Sequence, residues 1–283
     1  MSTALLSGTP CASPLFHSRY RPIKEVGSGG YSRVMQGVDT QQANRPVAVK
    51  QLFLRGLDMA ERAVAKDMFM REALMLSQLH HARIPRLLDL WTETMPWTIV
   101  MDFIDGATLE TYLAQRGGQL PMEEVVTIGL QLCTVLDYLH SQDLPVVFRD
   151  LKPANVLRTA CGELFLIDFG LASRYRPDQA EKLALGTPGY AAPEQYPDCK
   201  GNTYPTPLSD IYALGATLHC LLSGIDPTRL QQSFRFPSLR GFSSPAGSTP
   251  LIKLIGAMLE RDPARRPQNV AKIASALRYI QGN

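Results

Sequence analysis

The spacing of apolar and polar residues divides the 283-residue chain into a strand-rich first part and a helix-rich second part. In the first part, apolar runs rich in β-branched and aromatic residues predict strands over residues 20–26, 31–39, 45–53, 87–90 and 98–103. One helix is predicted there, over residues 58–79, because Met68, Phe69, Ala73, Leu76 and Leu79 recur at three- and four-residue spacing. Strands followed by helices in separate stretches are typical of the α+β class.

From residue 108 onward the periodicity is mostly helical. Helices are predicted over residues 108–114, 123–140, 209–222, 251–259 and 270–280. The longest of them, 123–140, should turn Val126, Leu130, Val135 and Leu139 toward the core. Two stretches lack periodicity. Residues 1–18 are expected to be a flexible tail, and residues 225–250, rich in Ser, Pro and Gly, a long loop or short-helix region.

Composition narrows the class of protein. The chain has 29 basic and 26 acidic residues and no basic stripe with interleaved aromatic residues, so no nucleic-acid partner is expected. Its five cysteines form no CxxC pair, which indicates neither a disulfide framework nor a zinc site. No apolar run approaches the roughly 20 residues of a membrane span, and no signal-peptide pattern is present. We therefore expect a cytoplasmic chain without a membrane segment; an anchor beyond residue 283 stays open.

The densest chemistry lies in the stretch from Val147 to Leu157. Two apolar runs flank a short polar loop that carries Asp150, Lys152 and Asn155, and a further apolar run ends at Asp168-Phe169-Gly170. Carboxylate and amide oxygens suit Mg²⁺, an ammonium suits a phosphate oxygen, and a carboxylate can accept a hydroxyl proton. The simpler alternative is a strand-turn-strand with a surface aspartate.

Two features of the first part also suit phosphate. Gly27-Ser28-Gly29-Gly30 lies between two predicted strands, and glycines let a backbone approach phosphates closely. A plain hairpin turn explains that stretch equally well. Lys50 ends an apolar strand, where a lysine usually extends its ammonium to solvent.

Taken together, these motifs resemble those of the eukaryotic-like serine/threonine protein kinases of the bacterial type, from about residue 20 to the end of the chain. The resemblance implies a bilobal α+β fold. A small N-lobe, residues 19–103, would hold an antiparallel sheet and one main helix, and a larger, mostly helical C-lobe would cover residues 104–283. It also implies ATP and Mg²⁺ as cofactors and protein Ser/Thr hydroxyls as substrates.

The resemblance assigns roles to individual residues. Asp150 matches the catalytic base, Lys152 a phosphoryl-neutralising lysine, and Asn155 and Asp168 the Mg²⁺ ligands. Lys50 matches the phosphate-pairing lysine, with Glu72 as its expected partner; Glu61 is a rival partner about three turns earlier. The implied nucleotide-binding residues are Gly27, Ser28, Gly29, Gly30, Val34, Ala48, Lys50, Met101, Asp102, Phe103, Ile104 and Leu157.

Two positions depart from the kinase pattern. Phe148 stands where the family has a histidine, and Ser32 where it has a third glycine. We expect Phe148 to keep the packing against Phe169 and to lose one hydrogen bond, worth about 1 kcal/mol, with activity retained. These departures are the only support for a second hypothesis, a nucleotide-binding pseudokinase scaffold. A third, a small-molecule kinase, is disfavoured by residues 186–194, which match a protein-substrate platform.

The segment between Gly170 and Pro193 matches the kinase activation segment. Thr187 is expected to hydrogen-bond Asp150 or Lys152. Lys152-Pro153 and the Gly186-Thr187 stretch resemble the serine/threonine pattern of the family, not the tyrosine pattern, which implies Ser/Thr specificity. Between Arg174 and Gly186 there is no Ser or Thr, so activity is expected not to require phosphorylation there. Asp178 or Glu181 could serve as the anionic partner of Arg149, and Ser173, Tyr175 and Thr187 remain candidate phosphorylation sites.

Two further acidic residues have structural roles by resemblance. Asp210 is expected to anchor the catalytic-loop backbone, although an acidic residue at a helix start is most often a cap. Glu194 is expected to pair with Arg266 rather than Arg265, and losing one partner of such a buried pair should cost about 3–5 kcal/mol.

Overall fold

The computed structural model of the chain describes residues 16, 18–177, 179, 186–230, 235–237, 239 and 249–282. These residues form two compact units. The first contains the described residues up to Lys66 together with Arg86–Phe103, and the second contains Asp67–Pro85 and the described residues from Ile104 onward. Most of the predicted tail, residues 1–18, lies outside the described residues, so its flexibility stays a prediction.

A five-stranded antiparallel sheet makes up most of the first unit, as predicted. Its strands are β1 (Tyr20–Ser28), β2 (Ser32–Asp39), β3 (Arg45–Leu52), β4 (Leu87–Trp91) and β5 (Thr98–Asp102), in the order β1-β2-β3-β5-β4. Tyr20, Val47, Val49 and Val100 are fully buried and form a core cluster on the sheet. Because side chains alternate along a strand, Ala48 and Lys50 of β3 point to the face opposite this cluster.

Helix α1 (Met59–Gln78) begins with a reciprocal cap. The Glu61 N–H donates to Asp58 Oδ1 at 2.8 Å, and the Asp58 N–H donates to Glu61 Oε2 at 2.9 Å. Glu61, the rival partner for Lys50, therefore has a capping role. Of the residues expected on the apolar face, Phe69, Ala73, Leu76 and Leu79 are buried, whereas Met68 is only half-buried.

The second unit is mostly helical, with α2 (Leu109–Gln115), α3 (Met122–His140), α4 (Pro207–Ser223), α5 (Thr249–Met258) and α6 (Val270–Gln281). Five short strands accompany them: β6 (Gly106–Thr108), β7 (Val146–Val147), β8 (Val156–Thr159), β9 (Leu164–Leu166) and β10 (Ser173–Arg174). β6, β8 and β9 form one small sheet, and β7 pairs with β10. The α+β class predicted from the sequence is confirmed.

Helix α3 is buried over a wider face than its sequence predicted. Val126, Val135 and Leu139 are buried as expected, but Leu130 is only half-buried. Val125, Ile128, Leu132 and Leu136 are buried in addition. The reason is that α3 packs against two helices at once: a Cβ on Gly129 would lie 2.9 Å from Leu277 of α6 and 3.3 Å from Leu218 of α4.

Helix α4 is the most buried helix of the second unit. Thr206 caps its start by accepting the Leu208 N–H, and Pro207 occupies the first turn. Asp210 is therefore not the cap, which excludes the simpler reading of that residue. Near its other end His219 is 2% exposed, and its Nε2 donates to the Pro237 carbonyl at 3.0 Å.

Three expectations concern sites that other protein classes would have. Among the residues that the structure describes, no group of three or more His, Cys, Asp or Glu is arranged to hold a metal. In the same residues, no helix is long and apolar enough to cross a membrane. The described cysteines Cys133, Cys161, Cys199 and Cys220 are free thiols, the first and last of them buried.

Of the region 225–250, the structure describes only part, including a short turn at Pro227–Arg229.

Candidate active site

The polar loop after β7 is anchored to helix α4 through a buried carboxylate. Asp210 is fully buried, and it accepts the N–H groups of Phe148 and Arg149, each at 2.8 Å. His140, at the end of α3, donates from Nε2 to the same carboxylate at 2.9 Å. The predicted anchoring role of Asp210 is confirmed, whereas the contribution of His140 was not predicted.

Arg149 adopts a backbone conformation that is rare for residues other than glycine. Its φ is +72°, in the left-handed region, and its side chain is fully buried with Nη1 3.5 Å from Ser173 Oγ. Its carbonyl accepts a hydrogen bond from Gln195 Nε2 at 2.9 Å. The suggested anionic partners of Arg149, Asp178 and Glu181, lie outside the described residues, so phosphorylation independence stays a prediction.

The Asp150 carboxylate follows directly and is held at both oxygens. Oδ2 accepts from Asn155 Nδ2 at 2.8 Å and from Lys152 Nζ at 2.9 Å. Oδ1 accepts from the Thr187 hydroxyl at 2.6 Å and from the Thr187 N–H at 3.1 Å. Asp150 is nevertheless 7% exposed, so the residue keeps some contact with solvent. A carboxylate that is oriented in this way suits proton acceptance at a defined position.

Lys152 and Thr187 are linked to each other as well as to Asp150. Lys152 Nζ donates to Thr187 Oγ1 at 2.6 Å, and the Thr187 hydroxyl in turn donates a hydrogen bond to Asp150 Oδ1. The expectation that Thr187 bonds Asp150 or Lys152 is confirmed for both. This closed triangle fixes the start of residues 186–194 on the polar loop.

Asn155 and Asp168 fit the magnesium expected from the sequence. Both hydrogen bonds from Asn155 Nδ2 go to Asp150, one to the carboxylate and one to the backbone carbonyl, so Oδ1 is the amide atom that could face a cation. The Ile167 N–H donates to the Asn155 carbonyl at 3.0 Å, so the exposed Asp168 follows a residue tied to Asn155. One amide oxygen and one carboxylate suit Mg²⁺, which usually keeps waters and takes substrate phosphates as its other ligands.

The Phe148 side chain packs as the sequence predicted. Its ring meets Phe169 edge to face, with centroids 5.0 Å apart, and both residues are fully buried. The aromatic contact beneath the Asp168 turn is therefore present in this chain without the usual histidine.

Two glycines with positive φ let residues 186–194 pack closely against neighbouring backbone and side chains. At Gly189, φ +89°, a Cβ would lie 2.6 Å from the Pro227 backbone, and at Gly186, φ +131°, it would lie 2.7 Å from Ala191. The next residue, Tyr190, is buried. Burial raises the pKa of Tyr190 far above its ordinary value, and the neighbouring Cys220 and Asp226 add to the shift.

Comparison with known proteins agrees with this geometry. The protein kinase domain profile matches residues 20–279 of the chain. The chain belongs to the protein kinase family. A probable serine/threonine-protein kinase PknB of Lactococcus lactis is 36% identical over 215 residues, covering 75% of this chain and 33% of that protein. Kinase pkn2 of Myxococcus xanthus is 32% identical, covering 94% of this chain and 33% of the relative. Serine/threonine-protein kinase C of Synechocystis is also 32% identical, covering 95% and 50%.

These relatives confirm the resemblance to bacterial serine/threonine kinases. The chain spans between a third and about half of the length of the curated relatives that it matches.

The expected nucleotide-binding residues of the first unit lie on the sheet and its turns. Gly27 pairs with Val34 at the end of the β1–β2 hairpin, and the Gly29 N–H donates to the Ser32 carbonyl at 2.7 Å. Ala48 and Met101 are neighbours across β3 and β5. Asp102 ends β5 instead of opening a connector, and its N–H is taken by the Arg86 carbonyl at 3.1 Å.

The side chain of Asp102 also has a role that the sequence did not indicate. Its carboxylate forms ion pairs with Arg45 and with Arg86, the latter at 2.9 Å. It therefore ties β3 to the residue before β4. Ser28, Gly30 and Phe103 also lie in the first unit, and the half-buried Ile104 and Leu157 lie in the second. The nucleotide-binding roles of all twelve expected residues stay predictions.

The expected pairing of Lys50 with Glu72 also stays a prediction. The two residues belong to different compact units: Lys50 is half-buried on β3, and Glu72, 3% exposed, lies on the part of α1 that belongs to the second unit.

The structure also brings in functional residues that sequence reasoning missed. Gln195 donates from its side chain to the Arg149 carbonyl of the polar loop, and His140 donates to Asp210, the carboxylate that anchors this loop. The only sequence signal for Gln195 is its place directly after Pro193-Glu194, a stretch already assigned to the segment.

Proposed function

We propose that this kinase transfers the γ-phosphate of ATP to Ser/Thr hydroxyls of protein substrates. The observation that carries the proposal is the arrangement of Asp150, whose carboxylate is oriented by Lys152, Asn155 and Thr187 at the distances given above. Phosphoryl transfer depends mainly on positioning and charge neutralisation, so a positioned carboxylate and ammonium suit it without a covalent nucleophile.

Each residue then has a defined task. Asp150 orients the substrate hydroxyl and accepts its proton as the hydroxyl oxygen bonds to the γ-phosphorus and the bond to ADP breaks. Lys152 neutralises charge on the transferring phosphoryl group. Lys50, held by Glu72, contacts the α- and β-phosphates. Asn155 and Asp168 would hold Mg²⁺, which when bound would neutralise phosphate charge.

The glycine-rich turn supports nucleotide binding by a different argument. A Cβ added at Gly27 or Gly30 would meet no atom within 4 Å, and none of the glycines 27, 29 and 30 has a positive φ. Neither crowding nor backbone conformation thus requires glycine within this turn. Close approach of phosphates to the backbone is a remaining physical reason for it, and it assigns Gly27, Ser28, Gly29 and Gly30 to the phosphates.

The remaining nucleotide and partner assignments follow the same proposal. The adenine base is assigned to Val34, Ala48, Met101, Asp102, Phe103, Ile104 and Leu157. Specificity for Ser/Thr is supported by the Lys152–Thr187–Asp150 triangle and by the names of the bacterial relatives. We place the chain in the cytoplasm and propose no nucleic-acid partner.

A labelling experiment tests the function. The purified chain is incubated with γ-labelled ATP, Mg²⁺ and a generic basic protein, and the label is then assigned to Ser, Thr or Tyr by acid hydrolysis. We expect label on Ser and Thr, and its loss in Lys50→Met and Asp168→Ala with the fold intact by circular dichroism. Nucleotide binding without transfer would instead favour a scaffold, and transfer only to a metabolite would favour a small-molecule kinase.

A further inference from the structure

Gln195 is a buried amide that is held in one orientation. Gln195 is fully buried, and its side-chain Oε1 accepts the Ala192 N–H at 3.0 Å. The backbone N–H of Gln195 donates to the Ala192 carbonyl, also at 3.0 Å. Because an N–H can only donate, the oxygen of the amide must face Ala192. Nε2 therefore faces the carbonyl of Arg149, to which it donates at 2.9 Å.

The bond from Gln195 completes a clamp around one residue, Arg149. The Arg149 N–H is bound by Asp210 at 2.8 Å and the Arg149 carbonyl by Gln195. Between these two bonds Arg149 adopts φ +72°, which L-residues adopt only when their surroundings enforce it. The clamped carbonyl belongs to the peptide bond that leads into Asp150. Any rotation of this peptide would move the carboxylate away from Thr187 and Asn155.

We propose that Gln195 is a positioning residue for Asp150: it holds the Arg149–Asp150 peptide in the orientation that the chemical step requires. This inference rests on the proposed function, in which Asp150 is the base. Glutamine suits the position because one side chain must accept from Ala192 and donate to Arg149 at the same time. Gly186 leaves the space for this bond, since a Cβ there would lie 2.9 Å from Gln195 Nε2 and 3.3 Å from the Arg149 oxygen.

Two substitutions distinguish a role of Gln195 in positioning Asp150 from a bracing role, in which Gln195 would only stabilise the turn at Ala192. Gln195→Met keeps the volume and loses both side-chain bonds, whereas Gln195→Glu keeps the acceptor for Ala192 and, when its carboxyl is ionised, loses the donor to Arg149. We expect both to lower kcat by about 10- to 100-fold with the KM for ATP within about twofold of wild type, because small displacements of a reacting group have effects of this size. A bracing role alone would leave Gln195→Glu near wild-type kcat.

The pH dependence of kcat provides a second test, because a purely structural role of Gln195 would not change it. A protonated carboxyl at position 195 can donate to the Arg149 carbonyl, and burial favours the protonated form. The ratio of kcat for Gln195→Glu to that of wild type should therefore rise toward low pH, and the ratio for Gln195→Met should stay flat. The charged groups around this site, Arg149, Asp150 and Asp210, are the same in every variant, so taking the ratio removes the pH effects that the variants share.

Controls keep the outcome interpretable. Gln268→Met removes a glutamine amide that also donates to backbone carbonyls, those of Pro263, Ala264 and Arg266, and it should leave kcat unchanged. If Gln195→Met fails to fold, Gln195→Asn replaces it, because the shorter amide cannot span both bonds. Wild-type transfer establishes the function independently. A folded Gln195→Met or Gln195→Asn with kcat within about twofold of active wild type would overturn the inference.

Discussion

Asn155 donates both bonds of its side-chain amide to Asp150, one to the carboxylate and one to the backbone carbonyl, each at 2.8 Å. The same residue receives the Ile167 N–H on its own carbonyl at 3.0 Å. Asn155, a proposed metal ligand, therefore connects the proposed base Asp150 with Ile167, the residue before Asp168. A change at Asn155 should alter both proton acceptance and metal binding.

Asn155→Asp tests this connection. The substitution keeps an oxygen ligand for Mg²⁺ but replaces the two N–H donors with a second negative charge beside Asp150. Hydrogen bonds to charged groups contribute about 1.5–3 kcal/mol, which corresponds to a fall in kcat of roughly 10- to 100-fold. Steady-state kinetics over a Mg²⁺ titration measure it. Full kcat at saturating Mg²⁺ would show that the amide bonds do not matter.

The Thr187 hydroxyl offers a matched pair of variants. Thr187→Val keeps the shape and removes the hydroxyl that receives Lys152 and donates to Asp150. We expect kcat to fall by about 10-fold or more in Thr187→Val and to stay within about threefold in Thr187→Ser, which keeps the hydroxyl. Equal kcat in the two variants would contradict a role for that hydroxyl.

The sequence predicted most of the fold because its elements have strong local signals. The last helix was expected over residues 270–280 and spans Val270–Gln281. Helix α4 begins two residues before its predicted start, although Thr206 and Pro207 carried the capping signal. The burial of α3 was underestimated at one face, since contact with both α4 and α6 is a tertiary property that periodicity does not contain.

The candidate site was predictable only where a contiguous motif carried it. Asp150, Lys152, Asn155 and Thr187 lie in such motifs, and the structure brings them together. The bond from Gln195 to Arg149 joins residues 46 positions apart, and no periodic or spacing signal marks it. The sequence likewise assigned only the backbone of Asp102, to nucleotide binding. The ion pairs of its carboxylate could not be predicted, because Arg45 and Arg86 lie on two other stretches of the chain.

The pair between Glu194 and Arg266 is predicted to stabilise the second unit. Arg266 is buried and donates to both Glu194 oxygens, at 2.7 and 2.9 Å, and to the Leu208 carbonyl at 2.8 Å. Arg266→Met should lower the free energy of unfolding by about 3–5 kcal/mol, because the Glu194 charge loses its partner. Chemical denaturation measures this loss.

Arg265 supplies the control for that measurement. It is mostly exposed and lies 3.9 Å from Asp262, so Arg265→Met should change the free energy of unfolding by less than about 0.5 kcal/mol. Similar losses in the two variants would refute the preference for Arg266 over Arg265.

His219 should make stability depend on pH. Burial lowers the pKa of His219 below its ordinary value of 6.5, although the bond to the Pro237 carbonyl opposes the shift. As the pH falls below 6.5, the unfolded chain therefore binds a proton at His219 more readily than the folded chain does. Stability from this residue is complete above pH 6.5 and is lost as the pH falls below it, at up to about 1.4 kcal/mol per pH unit.

The matched variant for this prediction is His219→Gln, which keeps a donor for Pro237 and cannot titrate. Its free energy of unfolding should fall less steeply than that of wild type between pH 6.5 and the lowered pKa of the folded state. The exposed His80 serves as control, and His80→Gln should leave the slope unchanged. An identical slope in His219→Gln and wild type would exclude the buried histidine as its source.

The most direct test of the account is the single-turnover rate of phosphoryl transfer in Asp150→Asn at saturating Mg²⁺ and ATP. If Asp150 accepts the proton of a substrate serine or threonine, the rate should fall by about 100- to 10,000-fold, while ATP affinity stays within about threefold of wild type. A variant that is folded, binds ATP and transfers phosphate at the wild-type rate would contradict the assignment of Asp150.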